Sequence, residues 1–382
     1  MTFLTRGGSR NALDGDRNSG NFPENMALLC DAPWDAQRQG ARVTVTCSGN
    51  AMHHASRVDP SAVASIPLRM TRRLMDMRLL DSARLFGRWW LVAIDGTLQD
   101  RGRETPEAEA RYRYVVEAKL VGPRETMFHL MSEFVDVRDP VRDKQDCELN
   151  AFLRLAERLR SEFPRLSVCL LLDGLYAVRS VFDRCTEYGW KFIATLREGR
   201  QPLSWAEAVE TMMMSPENVS KGSREGEDGT VDQTLRWTRR IPFGEHEFSV
   251  LYSGEVGPAC ACLWVWVTNF GIDRENAYAL ANHGGRKRQA VENAFNVQKN
   301  GGFGLEHAFC ANNKAAQNYH LMMQAAHTLS QLLVNGLLRR LVKACRKVTD
   351  TKLTELLRRS LEYVMIRAGP PCLRQIRFQS SA

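Results

Sequence analysis

The stretch SVCLLLDGLYAVRSVFDRCTEYGWKFIATL (167–196) decides the reading of this chain. Residues 167–173 are an apolar run closed by an aspartate, as expected for a strand covered on both faces of a sheet. LYAVRSVFDRCTEYG (175–189) has helical spacing and stops at Gly189, and WKFIATL (190–196) reads as a second strand. Strand, helix and strand in succession form a crossover unit, which predicts an α/β protein with a mixed sheet flanked by helices.

The same reading extends upstream. KQDCELNAFLRLAERLRSEF (144–163) is an amphipathic helix, and RYRYVVEAKLV (111–121) and TMFHLMSEFVDV (126–137) are strands. WWLVAID (89–95) is a further strand ending at Asp95, and IPLRMTRRLMDMRLLDSARLFGR (66–88) reads as an amphipathic helix leading into the core. Residues 1–65 are rich in Gly, Ser, Asn, Asp and Arg; apart from a short strand at 41–47, weak order is expected there. Downstream, 201–262 changes character. SPENVSKGSREGEDGT (215–230) reads as a loop, and LRWTRRIPF (235–243) and EFSVLYSGEV (247–256) as strands of a small β insertion. CLWVWVTNF (262–270) returns to the core, 292–336 reads as helix throughout, and 337–382 as a basic helical tail. The expected organisation is an atypical N-terminal region (1–65), a core in two parts (66–200 and 263–336) split by the insertion (201–262), and the tail.

The chain has 382 residues and a formal net charge of +8. From Leu338 onward there are 11 Lys/Arg and 3 Asp/Glu, a surplus of 8, so the remainder, with 41 of each sign, is neutral. A basic tail on a neutral body points to an anionic partner such as nucleic acid. Ten cysteines without a CxxC pair suggest buried thiols in a reducing compartment. His320 and His327 fall on an apolar helical run and read as packed side chains. No secretory start is visible, and no apolar run approaches the ~20 residues that span a bilayer. The cytoplasm, where a bacterial nucleoid is at hand, is the expected location.

Candidate chemistry centres on carboxylates. Asp95 and Asp173 each end an apolar run and each precede a glycine, which reads as a sharp turn. In GGRKRQAVENAFNVQKNGG (284–302), a helix over 285–300 places Arg288, Glu292, Asn296 and Lys299 on one face. Three carboxylates on separate elements, with cations beside the last, suit two Mg²⁺ ions about 4 Å apart held against a phosphate backbone. Asp95 is then the bridging ligand, with Asp173 on one ion and Glu292 on the other. Arg288 and Lys299 face the flanking phosphates.

Arg288, Glu292 and Lys299 have the spacing of the Tyr-x2-Arg-x3-Glu-x6-Lys signature, although Gly285 stands at the tyrosine position. IDGT (94–97) and LLLDGLYAVRSVFDRC (170–185) look like the segments around the two aspartates of the same family. KQDCE (144–148), WVTNF (266–270) and GFGLEHAF (302–309) add further likeness in order. Over roughly residues 66–335 the sequence therefore resembles the bacterial insertion-sequence DDE transposases. The resemblance implies a ribonuclease-H-like core interrupted by a β insertion, which the 119 residues between Asp173 and Glu292 accommodate. It implies Mg²⁺-dependent cleavage at element ends, with Mn²⁺ as a substitute, then strand transfer into target DNA. The implied partners are double-stranded terminal inverted repeats, target DNA and a second copy of the chain. It also implies that Trp237 stacks a flipped base, against the simpler reading that this ring packs the β insertion. No compact helical DNA-binding domain is legible ahead of the core. A ribonuclease-H-like nuclease without strand transfer and a DNA-binding remnant are the alternatives left open.

Overall fold

The structure, a computed structural model, describes residues 14–15, 17–29, 45–101, 112–136, 144–226, 229–258, 261–307, 309–310, 312–335 and 350–365. The chain divides into two compact units. One comprises Leu80–Thr97 and Arg113–Asn293, the other Met1–Leu79, Leu98–Tyr112 and Ala294–Ala382. Among the described residues no helix is long and apolar enough to cross a membrane.

The strands are β1 (Trp90–Arg101), β2 (Tyr112–Val121), β3 (Met127–Asp136), β4 (Val168–Leu172), β5 (Lys191–Thr195), β6 (Val219–Gly226), β7 (Gly229–Phe243), β8 (His246–Val256) and β9 (Ala261–Thr268). They form one mixed sheet of nine strands in the order β3-β2-β1-β4-β5-β9-β8-β7-β6. β4 runs parallel to both β1 and β5, and β9 returns antiparallel to β5. The protein is thus α/β, with a large mixed sheet flanked by helices. The crossover read from 167–196 is present: every residue of β4 is buried, α5 (Arg179–Glu187) follows, and β5 lies alongside.

The helix over 144–163 is α4 (Lys144–Glu162), which packs its buried Phe152, Leu155 and Leu159 stripe against the sheet on the β3 side. Helix α6 (Pro202–Met214) lies on β7, where the Ser204 hydroxyl donates to the Pro242 carbonyl at 2.7 Å. Strands β6 to β9 extend the core sheet beyond β5. An aromatic cluster joins the two parts: Phe182 of α5 stacks on Phe192 of β5 with centroids 5.0 Å apart, and meets Phe248 of β8 edge-on at 4.9 Å. Each ring buried this way contributes about 1.5–3 kcal/mol.

Several local expectations are corrected. β1 does not end at Asp95 but runs on to Arg101. Gly96 is no turn but lies within the strand, and glycine fits there because a Cβ would lie 2.6 Å from the Tyr114 ring. Residues 219–226 are not a loop but the polar edge strand β6, whose exposed Lys221 and charged Arg224 and Glu225 suit a sheet margin. The helix expected over 66–88 is α3 (Pro60–Asp76), capped by Asp59; it closes where Arg78 adopts φ 56° and Leu79 N–H donates back to the Leu74 carbonyl. No glycine marks that stop.

In the other unit, α1 (Phe22–Leu29) and α2 (Ser48–Ala55) form within the region where weak order is expected, while 1–13, 16 and 30–44 lie outside the described residues. Val45–Cys47 is irregular, and the remainder of the strand expected at 41–47 lies outside the described residues. The helix expected throughout 292–336 is interrupted between α7 (Gln289–Asn300) and α8 (Asn313–Asn335), where Gly302 and Gly304 take φ 89° and 69°. The Asn318 amide of α8 donates to the Ala55 and Val58 carbonyls at 2.8 Å, tying α2 and the turn after it to α8. His320 and His327 are buried in α8, beside Gln324 and Gln331. Of the expected tail, α9 (Asp350–Tyr363) is described, and it receives α1 through the buried Asn25, which donates to the Leu361 and Val364 carbonyls at 2.7 Å. Residues 337–349 and 366–382 lie outside the described residues.

Substituting Gly96→Ala forces a Cβ into the Tyr114 ring and is expected to cost about 1–3 kcal/mol of stability. A shift of the denaturant midpoint measures it; an unshifted midpoint would show that the ring yields freely.

Candidate active site

β1 and β4 pair in parallel with Trp90 opposite Val168 and Ala93 opposite Leu171. The same offset sets Asp95 beside Asp173. The carboxyl group of Asp95 points into a nearly enclosed space, 18% exposed, and accepts the Gly96 N–H at 2.9 Å. Asp173 stands at the start of a 3₁₀ turn (Gly174–Tyr176) and accepts the Leu175 N–H at 2.7 Å. Glu292 comes from the first turn of α7. The Arg288 guanidinium bridges two of them, 3.6 Å from Asp95 and in direct contact with Glu292, which also accepts from the Gln289 amide at 2.5 Å.

Burial pushes the Asp95 carboxyl up to about 7, Arg288 pulls it down, and the charges of Asp173 and Glu292 push it up again. Asp173 and Glu292 are thus each within electrostatic reach of Asp95, as is the Arg288 guanidinium. Among the described residues no three His, Cys, Asp or Glu side chains stand close enough to hold one ion together. The chemistry of the set nevertheless fits a divalent cation. It offers hard oxygen donors from three elements, a desolvated carboxyl whose charge lacks full compensation, and a positive group where a cation would balance it.

A fourth carboxylate, Glu148 of α4, lies behind the pair of aspartates and is only 6% exposed. It accepts the Tyr114 hydroxyl at 2.7 Å and the Tyr176 hydroxyl at 2.9 Å. Tyr114 is the residue packed on Gly96, and Tyr176 closes the turn after Asp173. One buried carboxylate therefore ties together the segments that follow both aspartates. Burial, then the Glu148 charge, holds both phenols well above the usual tyrosine range.

The residues before α7 are irregular: a π-helical turn (Leu280–Gly284) runs into a 3₁₀ turn (Gly285–Arg288). The glycine pair makes this possible. A Cβ on Gly284 would lie 2.5 Å from Ile193, and one on Gly285 2.5 Å from the Trp266 ring. A tyrosine would thus have no room at position 285, where Trp266 occupies the space. Each of the next three residues reaches a carboxylate on a different element: Arg286 to Glu255 of β8, Lys287 to Glu125 after β2 at 2.8 Å, and Arg288 to Asp95 of β1. Burial, with Arg224 nearby, lowers the Arg286 guanidinium to about 10.

The structure brings together Asp95, Asp173, Glu292 and Arg288. Asn296 and Lys299 lie on the same helix α7 as Glu292, as the spacing predicts; there Lys299 pairs with Glu306 at 2.8 Å and Asn296 accepts from Asn300 at 2.6 Å. Trp237 is 3% exposed within β7 and offers no face to a base in this conformation. Glu148, its two tyrosines, Glu255 and Arg286 were missed; the signals were present only as KQDCE (144–148) and as an arginine two places before Arg288. No family model matches this chain, and no curated protein matches it significantly.

Burial raises the Asp95 carboxyl to about 7 in the folded state, against an ordinary value of 3.8 when unfolded. The folded chain therefore binds more protons across that window, so metal-free stability falls as pH rises through it. Asp95→Asn is expected to match the parent near pH 4 and to exceed it by roughly 2–4 kcal/mol at pH 8. Denaturant unfolding with chelator at the two pH values reads this out, and equal stabilities at pH 8 would refute it.

Proposed function

We propose that this chain is a DDE transposase with a ribonuclease-H-like core, cleaving DNA at insertion-sequence ends and joining the freed 3′-hydroxyl to target DNA. The observation that carries the reading is the gathering of Asp173, Glu292 and Arg288 about Asp95. The mixed sheet, with the two aspartates on neighbouring parallel strands and extra strands inserted before Glu292, supports the fold assignment. The sequence segments that resemble the family support the activity.

In this reading Asp95, Asp173 and Glu292 hold the metal. When bound there, two Mg²⁺ ions supply an activated oxygen nucleophile and stabilise charge on the leaving oxygen. The residues themselves must first rearrange charge. Asp95 sheds its proton, so loading is favoured above about pH 7. Glu292 and Asp95 release Arg288, whose guanidinium then becomes available to a phosphate oxygen of the DNA. Arg288 thus serves as a placeholder before loading and a phosphate contact after it. Asp173 gives up its bond from the Leu175 N–H, or shares its second oxygen. The basic tail adds non-specific, salt-sensitive attraction to DNA, and synapsis of two element ends implies a dimer.

Asp95→Asn, Asp173→Asn and Glu292→Gln are each expected to lower Mg²⁺-dependent cleavage of inverted-repeat DNA at least about a hundredfold, a loss of several kcal/mol of transition-state stabilisation. DNA affinity should hold or rise, because negative charge facing phosphate is removed. Normal turnover in any one variant would remove that residue from the site. Cleavage without strand transfer by the parent would favour a nuclease, and binding without cleavage a remnant.

A further inference from the structure

We propose that Arg286 is a positioning residue: its buried pairing with Glu255 latches the turn 285–288 to the inserted strands and so holds Arg288 and Glu292 at Asp95. The proposal rests on the metal-binding reading above.

The turn has no regular helical ladder of its own, since it passes from π-helical to 3₁₀ geometry within nine residues, Leu280–Arg288. Something outside it must define where α7 begins. Of its three cations, Lys287 pairs at an exposed site, where such contacts contribute little. Arg288 pairs with the site itself. Arg286 differs, because the Glu255 side chain is 1% exposed. Glu255 is held on all sides: by Arg224 at 2.8 Å, by the Gln233 amide at 3.0 Å and by the Ser253 hydroxyl at 2.9 Å. Gln233 and Asn282 exchange amide hydrogen bonds of 2.8 and 3.2 Å, which adds a second attachment just ahead of the turn. The Arg286 guanidinium also lies 5.1 Å from the Trp264 ring centroid, and Trp266 fills the space against Gly285. Strands β7, β8 and β9 therefore all grip residues 282–286. An insertion placed between the second aspartate and the glutamate in sequence becomes the jig that seats the glutamate.

The charge argument separates this role from mere proximity. Removing a positive charge near a cation site should by itself tighten cation binding, whereas loss of a latch should weaken it. In the full-length chain at pH 8, with Mn²⁺ alone as the probe, Arg286→Met is expected to bind at least about tenfold more weakly than the parent, the scale seen when a group that orients a metal ligand is lost. Lys287→Met, in the same turn, should bind equally or more tightly. Hydrogen exchange supplies a readout that needs no metal: the amides of 285–292 should exchange at least about tenfold faster in Arg286→Met while those of β8 keep their protection. A folded Arg286→Met with parental exchange and parental Mn²⁺ affinity overturns the proposal. If the parent itself takes up no Mn²⁺, the metal reading falls, and unchanged exchange in Arg286→Met would sink the latch as well. Should Arg286→Met fail to fold, Arg286→Lys keeps the charge without the planar fork, and the same two comparisons decide.

Discussion

Asp95 carries the central constraint. Its carboxyl group is nearly enclosed, it faces two further carboxylates, and one guanidinium offsets them. Enclosure raises the energy of the charged form, and neighbouring negative charges raise it more. A chain holding such a cluster must surround it with groups that cannot relax away. Gly96 under the Tyr114 ring, Glu148 between two phenols, and a glycine pair pressed onto the sheet are those groups here. Each removes a degree of freedom from a segment that carries a site residue.

Magnitudes sort the contacts. The exposed Lys287–Glu125 pair belongs to the class worth about 0–1 kcal/mol. Breaking a fully buried pair costs ~3–5 kcal/mol when a charge is left without solvent or partner; at Glu255 the remaining Arg224, Gln233 and Ser253 contacts make the loss of Arg286 smaller. Buried pairs are weak evidence for net stability, since apolar side chains of similar volume often serve as well. Their value lies in geometry, for a desolvated ion pair tolerates few alternative arrangements. The inserted strands extend the sheet with ordinary apolar packing, around Phe182, Phe192 and Phe248, and place one polar network where it meets the turn before α7. Packing holds the insertion on the core, and the polar network sets its register against the site.

Sequence and structure part at specific places. DG at 95–96 and DG at 173–174 are identical pairs, yet the first stays inside a strand and the second opens a 3₁₀ turn. At the first, the Tyr114 ring on another strand leaves no room for a side chain. Residues 219–226 carry no strand-like pattern because an edge strand presents polar side chains to solvent. Gly285 reads as a departure from a motif, and the structure supplies Trp266 as the reason. Lys299 and Asn296 share a helical face with Glu292 by spacing, but their observed partners are Glu306 and Asn300.

What the sequence by itself determined is whatever rests on local periodicity: the crossover at 167–196, the amphipathic α4, and the placing of Asp95 and Asp173 on apolar strands. The i, i+4 contact of Arg288 with Glu292 was also legible, because a helix fixes that spacing. Only the tertiary structure decided which distant groups meet: Glu148 with two tyrosines, Glu255 with Arg286, Trp266 against Gly285. Those contacts join positions 19 to 34 residues apart on different elements. No local pattern encodes such meetings, because they follow from strand order and the burial it imposes, which exist only once the sheet has assembled.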